Sequence, residues 1–238
     1  MSCLGIILLV ALAIFVVVNI FLVWASADVG SNIYVKAYCK GEVKDKCITL
    51  TFDDGPNAEN TAKVLDVLKR HNIRATFFLI GKNVEENPAL ASRMVEEGHI
   101  VANHTYSHDA MFPMGNKQKI EHDIVACSEA IYSATGCRPR LFRPPFGVTT
   151  PGIGKAVKAL NMSTIGWSIR SYDTMQRPTR ESVVKGIIKK LRPGAIILLH
   201  DRCDGAEELL EMLIRECTQR GYRFVALDEM LNIRSYES

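Results

Sequence analysis

Two adjacent carboxylates, Asp53 and Asp54, end the apolar run in "CITLTFDDGPN". Side by side they repel one another, so another charge must offset the cost. Two histidines four residues apart, His104 and His108 in "NHTYSHD", point to what that charge could be. If one helical turn separates them, both imidazoles lie on one side and can hold a divalent cation. A carboxylate from another segment completes a two-histidine, one-carboxylate set with positions open for water and substrate, as metal-assisted hydrolysis requires. One aspartate of the pair then binds the cation, and the other serves as a base beside the attacking water. Arg143 in "LFRPPFG", Asp173 in "RSYDT" and His200-Asp201 in "LLHD" are further candidates. Singly, each has an ordinary reading: Asp-Asp-Gly-Pro is turn chemistry, and a histidine after a strand is usually a hydrogen-bonded loop residue.

Their places along the chain make the difference. From Lys46 onward, "CITLTF", "ATFFLIG", "HIVANH", "LFRPP", "MSTIGWS", "AIILLH" and "YRFVAL" read as strands, separated mostly by stretches with helical apolar spacing such as "NTAKVLDVLKRH". That alternation builds right-handed βαβ units around a parallel sheet. The fold expected is α/β, a distorted or incomplete β/α barrel of about seven strands, with an open doubly wound sheet as the alternative. Each polar cluster follows a strand, so a barrel gathers all of them on one rim. His71, His99 and His122 lie in or beside helices and strand starts without partners in register, and read as surface or capping residues.

Composition fits one folded domain: 47% of residues are hydrophobic and 23% charged. The net charge of +3, from 29 basic and 26 acidic residues, gives no nucleic-acid footprint. Leu4–Ala25 carries no charge and is long enough to span a bilayer as a helix. Ala25-Ser26-Ala27 resembles a signal-peptide cleavage site, but the apolar run is longer than a signal core and no Lys or Arg precedes it, which favours an uncleaved anchor. Residues 1–25 are thus an anchor or signal segment, 26–45 a polar tether, and 46–238 the catalytic domain. Lys36, Lys40, Lys44 and Lys46 follow the apolar segment, and the positive-inside rule by itself would put the domain in the cytoplasm. Of the seven cysteines, Cys39 with Cys47 and Cys127 with Cys137 are candidate local disulfides in an oxidising compartment; small buried thiols are the other reading. Nothing in the pattern sets an oligomeric state.

"TFDDGP", "HTYSH", "RPPFG" and "LLH" together resemble four motifs of the polysaccharide deacetylases, carbohydrate esterase family 4 with its NodB-homology domain. The resemblance implies a distorted β/α barrel that removes N- or O-acetyl groups from the sugars of a glycan such as peptidoglycan or a chitin-like polymer. The implied cofactor is a divalent metal, zinc foremost, with cobalt, nickel and manganese as alternatives. By the same resemblance Asp53 is the base, and Asp54, His104 and His108 are the metal ligands. Arg143 pairs with the base, His200 is the general acid and Asp173 tunes it. The Phe146 backbone N–H is the oxyanion donor and Leu198 the wall of the acetyl pocket. The family's Asp-Trp pair becomes Asp173-Thr174 here, so an aromatic cover is missing, and Trp167 reads as core. Because such glycans lie outside the cytoplasmic membrane, the expected location is a membrane anchor with an extracytoplasmic domain, or secretion after cleavage. Two other classes compete: an amidase or imidase of small nitrogenous molecules, and a non-catalytic glycan-binding protein.

Overall fold

Each long strand is followed by a helix that carries the chain back across the sheet, so the strands can only pair in parallel. The computed structural model describes residues 2–175 and 178–237. In chain order its main elements are α1 (Cys3–Ala27), β1 (Ala37–Tyr38), β2 (Cys47–Asp53), α2 (Thr61–Arg70), β3 (Thr76–Leu79), α3 (Gly81–Glu86), α4 (Pro88–Glu96), β4 (Ile100–Asn103) and α5 (Lys117–Thr135). They continue as β5 (Leu141–Phe142), α6 (Pro151–Ala159), β6 (Ser163–Ile165), β7 (Ile169–Arg170), α7 (Arg180–Lys190), β8 (Ala195–His200), α8 (Ala206–Gln219), β9 (Arg223–Phe224) and α9 (Leu227–Leu231).

The sheet order is β1-β6-β5-β4-β3-β2-β8-β7, with β9 on β2, and every ladder is parallel. From β6 back to β2 the order has no reversal, so the sheet curls in one sense into a barrel and the doubly wound alternative falls away. The seam lies between β1 and β7. Residues 166–168 cross it, where Gly166 N donates to Tyr38 O at 2.9 Å and Ser168 N to Ile196 O at 3.0 Å. All seven strands read from the sequence are present. β1 and β7, two residues each, are too short to show a period.

β2 shows how the layers are specified. Ile48, Leu50 and Phe52 pack outward with Leu65 and Leu68 of α2 and with Leu210 and Leu213 of α8. The alternate residues Thr49, Thr51 and Asp53 face the barrel interior. There the apolar filling is Phe78, Ile100, Ala102, Leu141, Ile165 and Ile196, joined by Leu227 and Met230 of α9.

Four expectations change. The segment 26–45 is not an irregular tether: β1 pairs with β6, Gly41 N donates to Gly194 O at 2.8 Å, and Val29 is buried. All seven cysteines are free; Cys127 Sγ points at Leu79 O and Cys47 Sγ accepts from Arg223, so neither local disulfide forms. His99 is buried rather than a surface residue, accepting the Ala75 N–H and meeting Phe77 edge-on. Its burial lowers its pKa to about 4. His71 and His122 are exposed as expected. The "HTYSH" segment is a loop, as the next subsection describes. The helix α1 has a mean hydropathy of 3.3 over its apolar window and is long and apolar enough to cross a membrane. Its one strongly polar side chain within the apolar run, Asn19, donates to Phe15 O at 2.8 Å and so satisfies itself.

Candidate active site

Register brings the site together. In parallel β2 and β8, Thr51 stands opposite Leu198 and Asp53 opposite His200, so Asp53 and His200 end neighbouring strands on the interior face, with Leu198 one layer below. Ile100 and Ala102 of β4 face the same interior, which puts His104 at the next inward position. In β5, Leu141 faces in and Phe142 out, so Arg143 turns in between them.

Arg143 is completely buried. Its Nη1 donates to Asp53 Oδ1 at 2.6 Å and to Thr51 Oγ1 at 2.8 Å, while Nε and Nη2 donate to the carbonyls of Ile165 and Gly166. The guanidinium lies 4.0 Å from the Phe78 ring centroid. A buried cation with this many acceptors is held in a single pose, and it fixes the Asp53 carboxylate with it.

Asp54 turns the other way because its backbone is left-handed, at φ 73°. Its Oδ1 lies 3.5 Å from His104 Nε2 and 3.4 Å from His108 Nε2. The ligand atoms of Asp54, His104 and His108 all fall within 4.8 Å of one another. His104 Nδ1 is 2.7 Å from the Arg143 carbonyl oxygen, which can only accept, so Nδ1 carries the proton and Nε2 presents its lone pair. Two imidazole nitrogens and one carboxylate oxygen form a donor set that fits a divalent cation of the zinc type.

No helical turn separates the two histidines. Asn103 Oδ1 accepts the Thr105 N–H, and Asp123 of α5 accepts the Tyr106 N–H and the Ser107 hydroxyl, capturing the loop before it can wind. Thr105 and His108 adopt φ 70° and 49°, and the two rings still end 4.9 Å apart. Phe146, at φ 60°, meets the His108 ring edge-on at 4.9 Å, with half of its own surface exposed. Asp54, Thr105, His108, Phe146 and Tyr172 all hold left-handed backbone around this rim, each at a cost on the order of 1–3 kcal/mol.

On the opposite flank, Asp173 grips His200 twice: Oδ1 lies 2.8 Å from His200 Nδ1, and Oδ2 accepts the His200 N–H at 2.8 Å. His200 Nε2 then faces Asp54 Oδ2 at 3.9 Å. Every residue assigned to the site from the sequence thus borders one rim, with Leu198 in the layer beneath. The sequence profile of the polysaccharide deacetylase family matches residues 40–165.

The chain belongs to the polysaccharide deacetylase family. Over 187 residues it is 34% identical to a peptidoglycan-N-acetylglucosamine deacetylase of Bacillus cereus, covering 77% of this chain and 67% of the relative. Over 198 residues it is 35% identical to the peptidoglycan-N-acetylmuramic acid deacetylase PdaA of Bacillus subtilis, covering 82% and 75%. The crystal structure of the Bc1960 peptidoglycan N-acetylglucosamine deacetylase superposes with a TM-score of 0.79 at 31% identity, covering 84% of this chain and 94% of that one. As a polysaccharide deacetylase, the protein is a metal-dependent hydrolase of acetyl groups on glycans.

Charge in this deacetylase is paired aspartate by aspartate. Burial would raise the Asp54 carboxyl, but the imidazoles of His104 and His200 and the guanidinium of Arg202 hold it far below the usual carboxylate range. Burial lowers His108, and the neighbouring His104 adds to that. For His200 burial also works downward, yet the hydrogen bond and charge of Asp173 outweigh it and the net direction is up.

Sequence reasoning missed two contributors, Arg202 and Asp123, and gave Asp201 no role. Arg202 donates from Nε to Asp54 Oδ2 at 2.8 Å, turning Oδ1 toward the histidines. Asp201 is fully buried, accepts from Thr61 Oγ1, and burial pushes its carboxyl up to about 7. A Cβ at Gly55 would collide with it, which is why the Asp-Asp-Gly-Pro turn needs glycine there. Asp123 shapes the histidine loop. The strand-end position of Asp201 and Arg202, directly after His200, was the one available signal. Thr174 is exposed, and Tyr172, 46% exposed, has Arg170 and Lys190 over its ring. Trp167 is half-buried against the interior cluster and beneath Gly147, whose missing Cβ and φ of 72° let the ring approach.

Proposed function

We propose that the protein removes N-acetyl groups from peptidoglycan sugars, N-acetylglucosamine or N-acetylmuramic acid, using zinc held by Asp54, His104 and His108. The observation that carries this reading is the pairing of two flanks: an arginine-locked Asp53 on one side of the ligand set and an aspartate-supported His200 on the other. A bound cation supplies the Lewis acidity that polarises the acetyl carbonyl and acidifies water. Asp53, fixed by Arg143, accepts the proton of the attacking water. The carbonyl oxygen develops negative charge, and the Phe146 N–H donates to it. An amine leaves poorly unless protonated, so His200 enters as the imidazolium and gives its Nε2 proton to the sugar nitrogen. Leu198 walls the acetyl methyl. The carbon–nitrogen bond breaks, and acetate and a free amino sugar result. Asp53, Asp54, both histidines and His200 are all in place, which speaks against a non-catalytic scaffold. The exposed Phe146 and Tyr172 give an open rim rather than the closed pocket a small-molecule amidase needs.

The rate is expected to fall at high pH as His200 loses its proton. Asp173 is what raises His200 against its burial, so His200 stays protonated to higher pH while that carboxylate is present. Asp173→Asn removes the largest of the contributions that oppose burial, leaving only the charges of Asp53 and Asp54 against it, and should move the falling limb to lower pH. A full pH–rate profile checks this, and an unmoved falling limb contradicts it.

The same reading places the domain outside the cytoplasmic membrane on a retained anchor. Ala25 is completely buried against the domain and its carbonyl accepts from Ser31 Oγ at 2.8 Å, a docked helix end that supports the retained-anchor reading. Membranes washed with high salt or alkaline carbonate are expected to keep the protein; release by salt alone contradicts a spanning helix.

A further inference from the structure

The anchor leaves the domain on the catalytic rim. Thr149, in the loop between β5 and α6 and three residues beyond Phe146, donates its N–H to Ser26 O at 2.9 Å, and its hydroxyl lies 3.4 Å from Ala25 O. Ala25, Val29 and Thr149 are all buried. Val29 packs on Gly166, whose carbonyl is held by Arg143. Three peptide units reach at most about 11 Å, so the docking point of α1 is that close to Phe146.

The depth of that point follows from the helix. The 25 residues of α1, at about 1.5 Å each, are slightly longer than the roughly 30 Å hydrocarbon core, so Ala25 falls at the interface, just past the exposed Trp24. A second observation agrees. Met111, Met114, Phe146 and Met175, on the loops after β4, β5 and β7, are 51% to 75% exposed. Large apolar side chains gathered on one face belong at a membrane surface rather than in bulk water.

We propose that this enzyme prefers an acetamido sugar carried on a polyprenyl diphosphate lipid, reached at the headgroup level, to the same sugar free of its lipid. The proposal rests on the deacetylase reading above and specifies where its substrate stands. A sugar one diphosphate away from the acyl region lies where a rim docked at Ala25 can meet it. The bond changes are those of acetamide hydrolysis: water adds at the carbonyl, acetate departs, and the amine keeps the proton.

The test uses the full-length protein in proteoliposomes, with a polyprenyl diphosphate-linked N-acetylglucosaminyl-N-acetylmuramyl disaccharide in the same bilayer or the same disaccharide released from its lipid. The wild type is expected to prefer the lipid-linked form by about tenfold or more. A Gly-Ser insert of about 20 residues between Trp24 and Ala25 keeps every domain contact and the tether, but lets the rim drift about 25 Å. It should cut the preference to about twofold or less while leaving the rate on N-acetylated chitotetraose unchanged. No wild-type preference, or an equal preference in the insert variant, overturns the proposal. Failure of both proteins on chitotetraose and on both forms of the disaccharide sinks the deacetylase reading instead, and the proposal with it.

Discussion

Asp53→Asn is expected to keep its metal and lose about 10²- to 10⁴-fold in kcat, whereas Asp54→Asn loses metal and activity together. The two residues are neighbours in sequence but are held by different partners. Asp53 Oδ1 is taken by Arg143 at 2.6 Å, and its Oδ2 is 3.8 Å from His104 Nε2. Asp54 presents Oδ1 to both histidines while Arg202 holds Oδ2. An amide at position 53 still accepts from Arg143 but cannot take a proton from water. At position 54 the amide loses the charge that draws the cation. Metal content by elemental analysis, read alongside kcat, separates the two; equal metal loss in both variants contradicts the assignment.

Arg143→Leu should lower stability by about 3–5 kcal/mol, because it leaves a buried carboxylate and two buried carbonyls without their donor. For a chain of this size that is a fall in Tm on the order of 10 °C. Asp53 is the one charge left unpaired, so adding Asp53→Asn to Arg143→Leu should recover part of the loss. The two changes are then strongly non-additive in a thermal-melt cycle. Additive effects would mean that the pair is not coupled as the geometry indicates.

The candidate residues Asp53, Asp54, His104, His108 and His200 were legible because each combined a reactive type with a position just after a strand, and a parallel barrel turns that position into proximity. Their individual roles came from the family resemblance. Arg202 was harder to read: a lone arginine in a polar loop reads as solvated, its place just after β8 being the one signal, and the fold sets its Nε against Asp54 Oδ2. The spacing of His104 and His108 suggested a helical turn. Asn103 and Asp123 instead bind the loop's N–H groups, and the left-handed Thr105 and His108 bring the rings together by another route. The segment 26–45 looked like a tether because its sheet contact, β1, is two residues long, below any period that a sequence can display. His99 read as a surface residue because its neighbours Glu96, Glu97 and Gly98 are polar or small, yet the start of β4 carries it under Phe77.

The central claim is that a cation on Asp54, His104 and His108 drives deacetylation of peptidoglycan sugars. The direct measurement takes full-length protein stripped by a chelator, restores zinc in steps to one equivalent, and follows acetate and free amino groups released from purified peptidoglycan. The account predicts equal amounts of acetate and amine, at a rate that rises in proportion to bound zinc and levels off near one ion per chain. Acetate released at an undiminished rate by the stripped protein, or no amine from peptidoglycan at full zinc occupancy, would contradict it.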